Sequence, residues 1–235
     1  MGTTLGLEVL GVTGLGEIVR GDSIGLLIVE LAELHAGDVV VVTQKIVSKS
    51  EGRVVAVDPN DLAAKRRLAE SEAVRVLRRR GELVVTETRH GFVCASSGVD
   101  LSNVAEGHAV LLPVDPDRSA RRIRDQIRAA TGLEVAVIVS DTFGRAWRRG
   151  LTDVAIGSAG IAAILDLRGT VDGSGRTLDV TEVCLVDEIA SAAELVMGKA
   201  ANLPVAIVRG VDPAWLRESS VREEVVRPSG EDLFR

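Results

Sequence analysis

The sequence predicts an α+β protein built around a mixed β-sheet. Short runs rich in Val and Ile recur along all 235 residues, which is typical of strands in a buried sheet. Helical patterns lie between only some of these runs, so the chain lacks the regular alternation of strand and helix that marks a doubly wound fold. The stretches 32–57 and 150–185 favour strands, and we expect no helix in the first of them.

Six apolar runs carry the strand prediction, because each combines β-branched residues with flanking turn residues. They are 39–43, 82–87, 108–114, 134–140, 162–167 and 203–208. The segment 46–57 is predicted as an exposed strand followed by a turn. These strands would supply both the main sheet and its edges.

Three segments have apolar residues at helical spacing. The first, 61–81, starts with Asp and stops at Gly81, and the second, 115–132, starts with Asp-Pro and stops at Gly132. The third, 188–200, is rich in small residues. No repeat or linker interrupts the chain, so we expect residues 1–235 to form one domain, with a division into two subdomains left open.

Composition narrows the classes of function. Of all residues 46% are apolar but only 2% are aromatic, so the core must be aliphatic. The net charge of −6 gives no global attraction to nucleic acid or anionic membranes. No apolar run approaches the roughly 20 residues of a membrane span, and two cysteines do not make a disulfide framework. We therefore expect a cytoplasmic protein that binds neither nucleic acid nor membrane.

Asp141 and Thr142 follow directly after the apolar run 134–140. At the end of a strand they would lie at an edge of the sheet, where loops collect ligands. A carboxylate beside a hydroxyl offers the hard oxygen ligands that Mg²⁺ and Mn²⁺ prefer. The alternative is an ordinary turn capped by Asp and Thr.

The segment 91–103 offers a second carboxylate. Small residues at 95–98 would let the backbone approach a ligand, and Asp100 and Asn103 follow three residues apart. This pattern alone also fits an ordinary turn. Together with Asp141, however, Asp100 predicts a site for the divalent cations that accompany nucleotide phosphates.

Two basic patterns predict an anionic ligand. Lys45, Lys49 and Arg53 occur at a spacing of four, which in a strand places them on one side, facing either phosphate or solvent at a protected edge. Arginines at 145, 148 and 149 could bind phosphate or carboxylate through paired hydrogen bonds. The alternative for these arginines is a surface network with nearby acids.

Four segments, in this order, resemble the coenzyme F420-0:γ-glutamyl ligases. They are TQKIVSKSEGR (43–53), RHGFVCASSGVDLSN (89–103), VSDTFGRAWRRGLTDVAIGSAGI (139–161) and DEIASAAELVMGKAANLPVAIVRG (187–210). The resemblance implies a GTP-dependent ligase that joins L-glutamate to F420-0 through an acyl phosphate and then adds γ-linked glutamates. It also implies an intertwined homodimer of a mixed α+β fold, two divalent ions (Mn²⁺ or Mg²⁺) and K⁺.

The resemblance also implies roles for individual residues. The metal ligands would be Asp100, Asp141 and Thr142. Nucleotide contacts would fall on Gly14, Leu15, Gly16, Glu17, Gln44, Lys45, Lys49, Asn103, Met197, Gly198 and Lys199. We assign catalysis to Asp141 and Arg145, and substrate binding to Arg148 and Arg149; for the three arginines this assignment rests on charge alone.

Lys199 departs from the family pattern, because some members carry Gln or Glu near this position as a ligand of the second metal ion. A protonated lysine cannot ligate a metal, so either another residue supplies that ligand or Lys199 contacts phosphate directly.

Three alternatives remain open at the level of sequence. The chain could be the ligase half of a bifunctional protein that continues into a flavin-binding, nitroreductase-like domain. It could be a metal-dependent phosphohydrolase, since carboxylates and arginines would serve that reaction as well. It could also be a module that binds nucleotide or F420 without catalysis, although both carboxylates of the site are present.

Overall fold

The structure is a computed structural model that describes residues 6–58, 60–61, 63–102, 104–199 and 201–232. The strands are β1 Glu8–Gly11, β2 Val39–Thr43, β3 Val54–Ala56, β4 Ala73–Arg80, β5 Leu83–Thr88, β6 Val93–Ala95, β7 His108–Val110, β8 Ala136–Arg145, β9 Arg148–Ala159, β10 Ile164–Asp166, β11 Glu182–Cys184 and β12 Val205–Arg209. The helices are α1 Ile24–Leu31, α2 Gln44–Ser50, α3 Ala64–Ser71, α4 Pro116–Thr131, α5 Leu185–Met197 and α6 Val221–Glu224. Short 3₁₀ turns cover Ser96–Gly98, Pro213–Trp215 and Ser229–Glu231.

A five-stranded mixed sheet forms the centre of the molecule, in the order β1-β12-β2-β8-β9. Strands β2 and β8 run parallel, and the other neighbours are antiparallel. The prediction of an α+β protein with a mixed sheet is therefore confirmed. Among the described residues, none of the helices combines the length and the apolar character that a bilayer span requires.

Both faces of the central sheet are covered by helices. Val40 and Val42 of β2 join one buried cluster with α1 and α4, whereas Val39 and Val41 join a second cluster with α5. Successive side chains of a strand point to opposite faces, so a run of four valines is buried completely only when both faces are packed. This explains why the central strands appear in the sequence as continuous apolar runs.

A smaller antiparallel sheet, β4-β5-β6, lies beside α3 and has its own buried cluster, which includes Val84 and Val99. Strands β3 and β7 pair with each other, and Asp100 forms an isolated bridge with Val110 of β7. The bridge to β7 and the packing of Val99 in the cluster of the smaller sheet together hold the segment that carries Asp100.

The prediction of a helix over 61–81 is wrong for the second half of that segment. Only Ala64–Ser71 is helical, and Ala73–Arg80 is strand β4, paired antiparallel with β5. Partly buried Val76 packs against the cluster of the smaller sheet. A hydrogen-bonding partner from a later strand has here overridden a local helical pattern.

The prediction that no helix occurs between residues 32 and 57 is also wrong. Gln44–Ser50 is helix α2, which buries Ile46 and Val47 against the main core, and only Val54–Ala56 is a strand. The spacing of Lys45 and Lys49 still places them on one face, because residues four apart are neighbours on a helix. Helix α1 was not predicted from its short apolar run.

Candidate functional site

A cavity of about 960 Å³ opens at one edge of the central sheet, where β2 ends and β8 continues beyond its pairing with β2. Thr43 and Ser140 are the last pair of register partners between these two parallel strands, and both line the cavity. Ligands of open α/β sheets bind in such crevices. The walls come from the loop at 15–18, the start of α2, the β8–β9 hairpin and the segment after α5.

Asp141 and Thr142 line this cavity, but from within a strand. The prediction that the strand ends at Ser140 is wrong, because β8 continues to Arg145 as one arm of a long hairpin with β9. A register shift between Val139 and Ser140 marks a bulge at the point where the strand leaves the core. Bulges commonly re-aim side chains next to functional sites.

The electrostatic environment of Asp141 disfavours its charge. Burial raises the pKa of this carboxyl to about 7, and the negative charges of Asp153 and Asp100 add to the effect. The backbone hydrogen bond from Thr142 and the charge of Lys199 act in the opposite direction. In the part of the chain that the structure describes, Asp141 has no lysine or arginine partner at ion-pair distance. A bound cation would relieve this unpaired charge.

Asp100 lies next to the cavity and is held by two donors. Its carboxylate accepts a hydrogen bond of 2.7 Å from the backbone N–H of Ser102 and lies 3.0 Å from Lys45 Nζ. Burial raises the pKa of Asp100, but the hydrogen bonds from Ser102 and Lys45 outweigh it and leave the pKa below its usual value. Asp100 is therefore ionised at neutral pH.

The turn before Asp100 is strained. Ser96 and Ser97 both adopt positive φ, which side chains other than glycine rarely do. Ser97 donates from its hydroxyl to the backbone carbonyl of Ala69 at 2.6 Å, and its hydroxyl also bonds that of Thr86. These buried hydrogen bonds hold the turn, and with it the position of Asp100.

Helix α2 presents basic and amide groups to the cavity. Lys49 Nζ lies 2.5 Å from Glu17 Oε1, which links α2 to the loop at 15–18. Gln44 is 1% exposed, and its Oε1 accepts from the hydroxyl of Ser48. Its Nε2 has no partner among the described residues, so one buried donor stays available to a ligand.

Two carboxylates of the site were missed at the level of sequence. Asp153 of β9 is 2% exposed and accepts hydrogen bonds from Ser140 Oγ at 3.0 Å and Thr142 Oγ1 at 2.5 Å. Glu194 lies on α5, and burial together with the charge of Asp153 raises its pKa. The signal for Asp153 was a charged residue directly before the uncharged run 154–159, but only the hairpin pairing places it opposite Thr142.

The cavity gathers most of the predicted nucleotide residues. Those that line it are Leu15, Gly16, Glu17, Gln44, Lys45, Lys49, Gly198 and Lys199. Gly14 precedes the lining loop, and Met197 is buried at the end of α5. Asn103 lies outside the described residues.

The arginines at 145, 148 and 149 do not line the cavity. They are exposed around the tip of the β8–β9 hairpin, where Trp147 adopts a positive φ and is 93% exposed. The Arg145 guanidinium donates to the backbone carbonyl of Arg149. Within one chain, these arginines are therefore separate from the carboxylates and lysines of the site.

The carboxylate oxygens at and near Asp141 fit a divalent ion whose remaining ligands are substrate oxygens and water. No group of three His, Cys, Asp or Glu side chains that could hold a metal ion occurs within the described ranges. Mg²⁺ in phosphate chemistry is usually held by only one or two carboxylates, with water and phosphate oxygens completing its shell. Asp141, unpaired and facing the cavity, together with nearby Asp100, meets that requirement.

Comparison with known proteins supports the resemblance. Residues 14–210 match the family model for F420-0:Gamma-glutamyl ligase. The Coenzyme F420:L-glutamate ligase of Methanothermobacter thermautotrophicus is 39% identical, covering 98% of this chain and 100% of that protein. The proteins of the same name from Methanopyrus kandleri (41%, 92% of each) and Archaeoglobus fulgidus (39%, 97% of this chain and 96% of that protein) are similar to a comparable degree.

Proposed function

The chain belongs to the F420-0:γ-glutamyl ligase family, and from this we propose that it joins L-glutamate to coenzyme F420-0 with GTP as the phosphoryl donor. Further glutamates would then be added through γ-linkages. The observation that carries the proposal is the convergence of four distant segments, 43–53, 89–103, 139–161 and 187–210, which supply most of the walls of the cavity and its neighbouring Asp100.

The proposed reaction has two steps. A carboxylate oxygen of F420-0 attacks the γ-phosphorus of GTP, so that the bond to the β,γ-bridging oxygen breaks and GDP leaves. The product is an acyl phosphate. The amine of glutamate then attacks the acyl carbon, inorganic phosphate leaves, and the nitrogen loses a proton as the amide forms. Phosphorylation is needed because an unactivated carboxylate has no adequate leaving group.

The residues of the cavity serve this reaction by binding and charge neutralisation. Lys45 and Lys49 lie on one face of α2, where their ammonium groups can contact phosphate oxygens. The free Nε2 of Gln44 is a further donor. A divalent ion, Mn²⁺ or Mg²⁺, held through Asp141 and Asp100 would neutralise charge on the transferred phosphoryl group.

The direct test is an assay with F420-0, L-glutamate, GTP and Mn²⁺, with products weighed by mass spectrometry. We expect products that are heavier by whole glutamyl residues, together with release of GDP and phosphate. Omission of glutamate should abolish product formation. Rapid GTP hydrolysis that is independent of F420-0 and glutamate would instead identify a phosphohydrolase and reject the ligase.

We also propose a homodimer and a requirement for K⁺, as the family resemblance implies, and a cytoplasmic location, which the composition favours. The hairpin tip supports a self-associating surface, since Trp147 and Leu151 are 93% and 67% exposed. Light scattering coupled to gel filtration should give twice the chain mass of 24.8 kDa. A single-chain mass at micromolar concentration would reject the dimer.

A further inference from the structure

We infer that the Lys199 ammonium is a built-in cation of this site, which takes the place of a second divalent ion. Each subunit would then bind one divalent ion with its nucleotide. The inference rests on the proposed function, because it needs a nucleotide and a divalent ion in the same cavity. It concerns a different property, namely the number of ions bound.

The ammonium of Lys199 lies among oxygen atoms that come from three elements. It donates a hydrogen bond to Thr142 Oγ1 of β8. It also lies 3.7 Å from Asp153 Oδ1 of β9 and 3.7 Å from Glu194 Oε1 of α5. A lysine ammonium has three donors and no acceptor, so it fits a position surrounded by three oxygens.

The hydroxyl of Thr142 has little capacity left for a metal ion. It donates its hydrogen to Asp153 Oδ1 at 2.5 Å and accepts from Lys199. A hydroxyl oxygen has only two lone pairs, and one of them is used. A divalent ion on the other lone pair would stand within a few ångströms of the ammonium, where two positive charges repel strongly. Thr142 therefore serves Lys199 in this chain.

The charge of the cavity matches one divalent ion. Five carboxylates and three lysines lie in or next to it, namely Glu17, Asp100, Asp141, Asp153, Glu194, Lys45, Lys49 and Lys199. Lys45 is paired with Asp100, and Lys49 with Glu17. The third lysine offsets one charge of the pair formed by Asp153 and Glu194. With all five carboxylates ionised, two negative charges remain, one of them on Asp141, and a single divalent ion balances them.

The test counts Mn²⁺ ions bound per subunit, by equilibrium dialysis and electron paramagnetic resonance, with a non-hydrolysable GTP analogue present. The wild-type protein should bind one. Lys199→Gln removes the ammonium and adds a neutral oxygen ligand on a side chain that is one bond shorter, so this variant should bind two Mn²⁺ ions. Lys65→Gln is the matched control, because Lys65 lies outside this cavity, and it should still bind one.

A double variant tests whether the new ion occupies the position of the ammonium. Glu194 lies beside Lys199, so Lys199→Gln/Glu194→Gln should lose the second Mn²⁺ that Lys199→Gln gains. The side chain of Lys199 is 58% exposed, and its replacement should leave the fold intact, which circular dichroism can verify.

The outcomes separate this inference from the proposed function. Two Mn²⁺ ions in the wild type, or one in Lys199→Gln, would overturn the built-in cation and leave the ligase activity standing. No bound Mn²⁺ in the wild type would reject both the inference and the divalent ion of the proposed reaction. One ion in the wild type, two in Lys199→Gln and one in the double variant is the result we expect.

Discussion

Asp141→Asn should make the metal-free protein more stable at alkaline pH while it removes metal-dependent activity. The pKa of Asp141 is raised from 3.8 to about 7, so folding favours its protonated form. The stability that this protonation contributes is complete below about pH 4 and is lost as the pH rises through 7. Above pH 7 the wild type therefore carries a buried charge that the asparagine variant lacks.

The size of the effect follows from the shift of the pKa. A change from 3.8 to about 7 sets an upper limit of about 4 kcal/mol in the free energy of unfolding. Asp141 is only partly buried and faces the cavity, so solvent screening lowers this to roughly 1–2 kcal/mol. For a chain of 235 residues, this corresponds to an increase of about 3–6 °C in Tm.

Thermal unfolding followed by circular dichroism, with EDTA present, measures this difference. At pH 8.5 the variant should unfold at the higher temperature, and near pH 4 the two proteins should be nearly equal. Asp179→Asn, at an exposed position in the loop between β10 and β11, is the control and should unfold with the wild type at both pH values. Added Mn²⁺ and GTP analogue should raise the Tm of the wild type more than that of Asp141→Asn.

Equal stability of the two proteins at both pH values would show that Asp141 carries no unfavourable charge in the folded state. If Mn²⁺ stabilised both proteins equally, Asp141 would not be its ligand. Full ligase turnover by Asp141→Asn in the presence of Mn²⁺ would also refute the assignment of Asp141 as a metal ligand.

The other predictions concern the nucleotide site and the packing of the hairpin. Lys49→Ala should raise the KM for GTP more than the KM for glutamate, because Lys49 faces the cavity from α2, and steady-state kinetics with an unchanged KM for GTP would remove it from the nucleotide site. Gly157→Ala should lower the free energy of unfolding by about 1–3 kcal/mol, because its Cβ would lie 2.3 Å from the carbonyl carbon of Pro116 in α4. Gly173→Ala, with open space around the new methyl group, should unfold with the wild type in urea, and equal loss in both variants would contradict the packing argument.

Local patterns predicted the elements whose signals lie entirely within their own segment. Helix α4 was expected over 115–132 and is found at Pro116–Thr131. Asp115 caps its first turn by accepting from the N–H of Arg118, and Gly132 ends it with a positive φ. Strands β2 and β12 were equally clear, because burial on both faces requires apolar side chains throughout.

Elements that depend on distant partners were not predicted. Ala73–Arg80 has a helical spacing of apolar residues, yet it is a strand because β5 supplies its hydrogen bonds. The reverse holds for Gln44–Ser50: its apolar pair, Ile46 and Val47, resembles part of a strand, but the segment forms about two turns of helix that pack on the main core. In both cases the tertiary environment contributes more than the local preference.

The sequence alone determined the aliphatic α+β core, the family, and the types of residue that could bind phosphate and a divalent ion. Those properties follow from composition and from short motifs. The tertiary structure decided which polar groups lie next to each other: Lys45 forms an ion pair with Asp100, and Lys199 donates a hydrogen bond to Thr142. The physical reason is that electrostatic interactions depend on distance and burial in space, and both are set by strand pairing between segments that lie far apart in the chain.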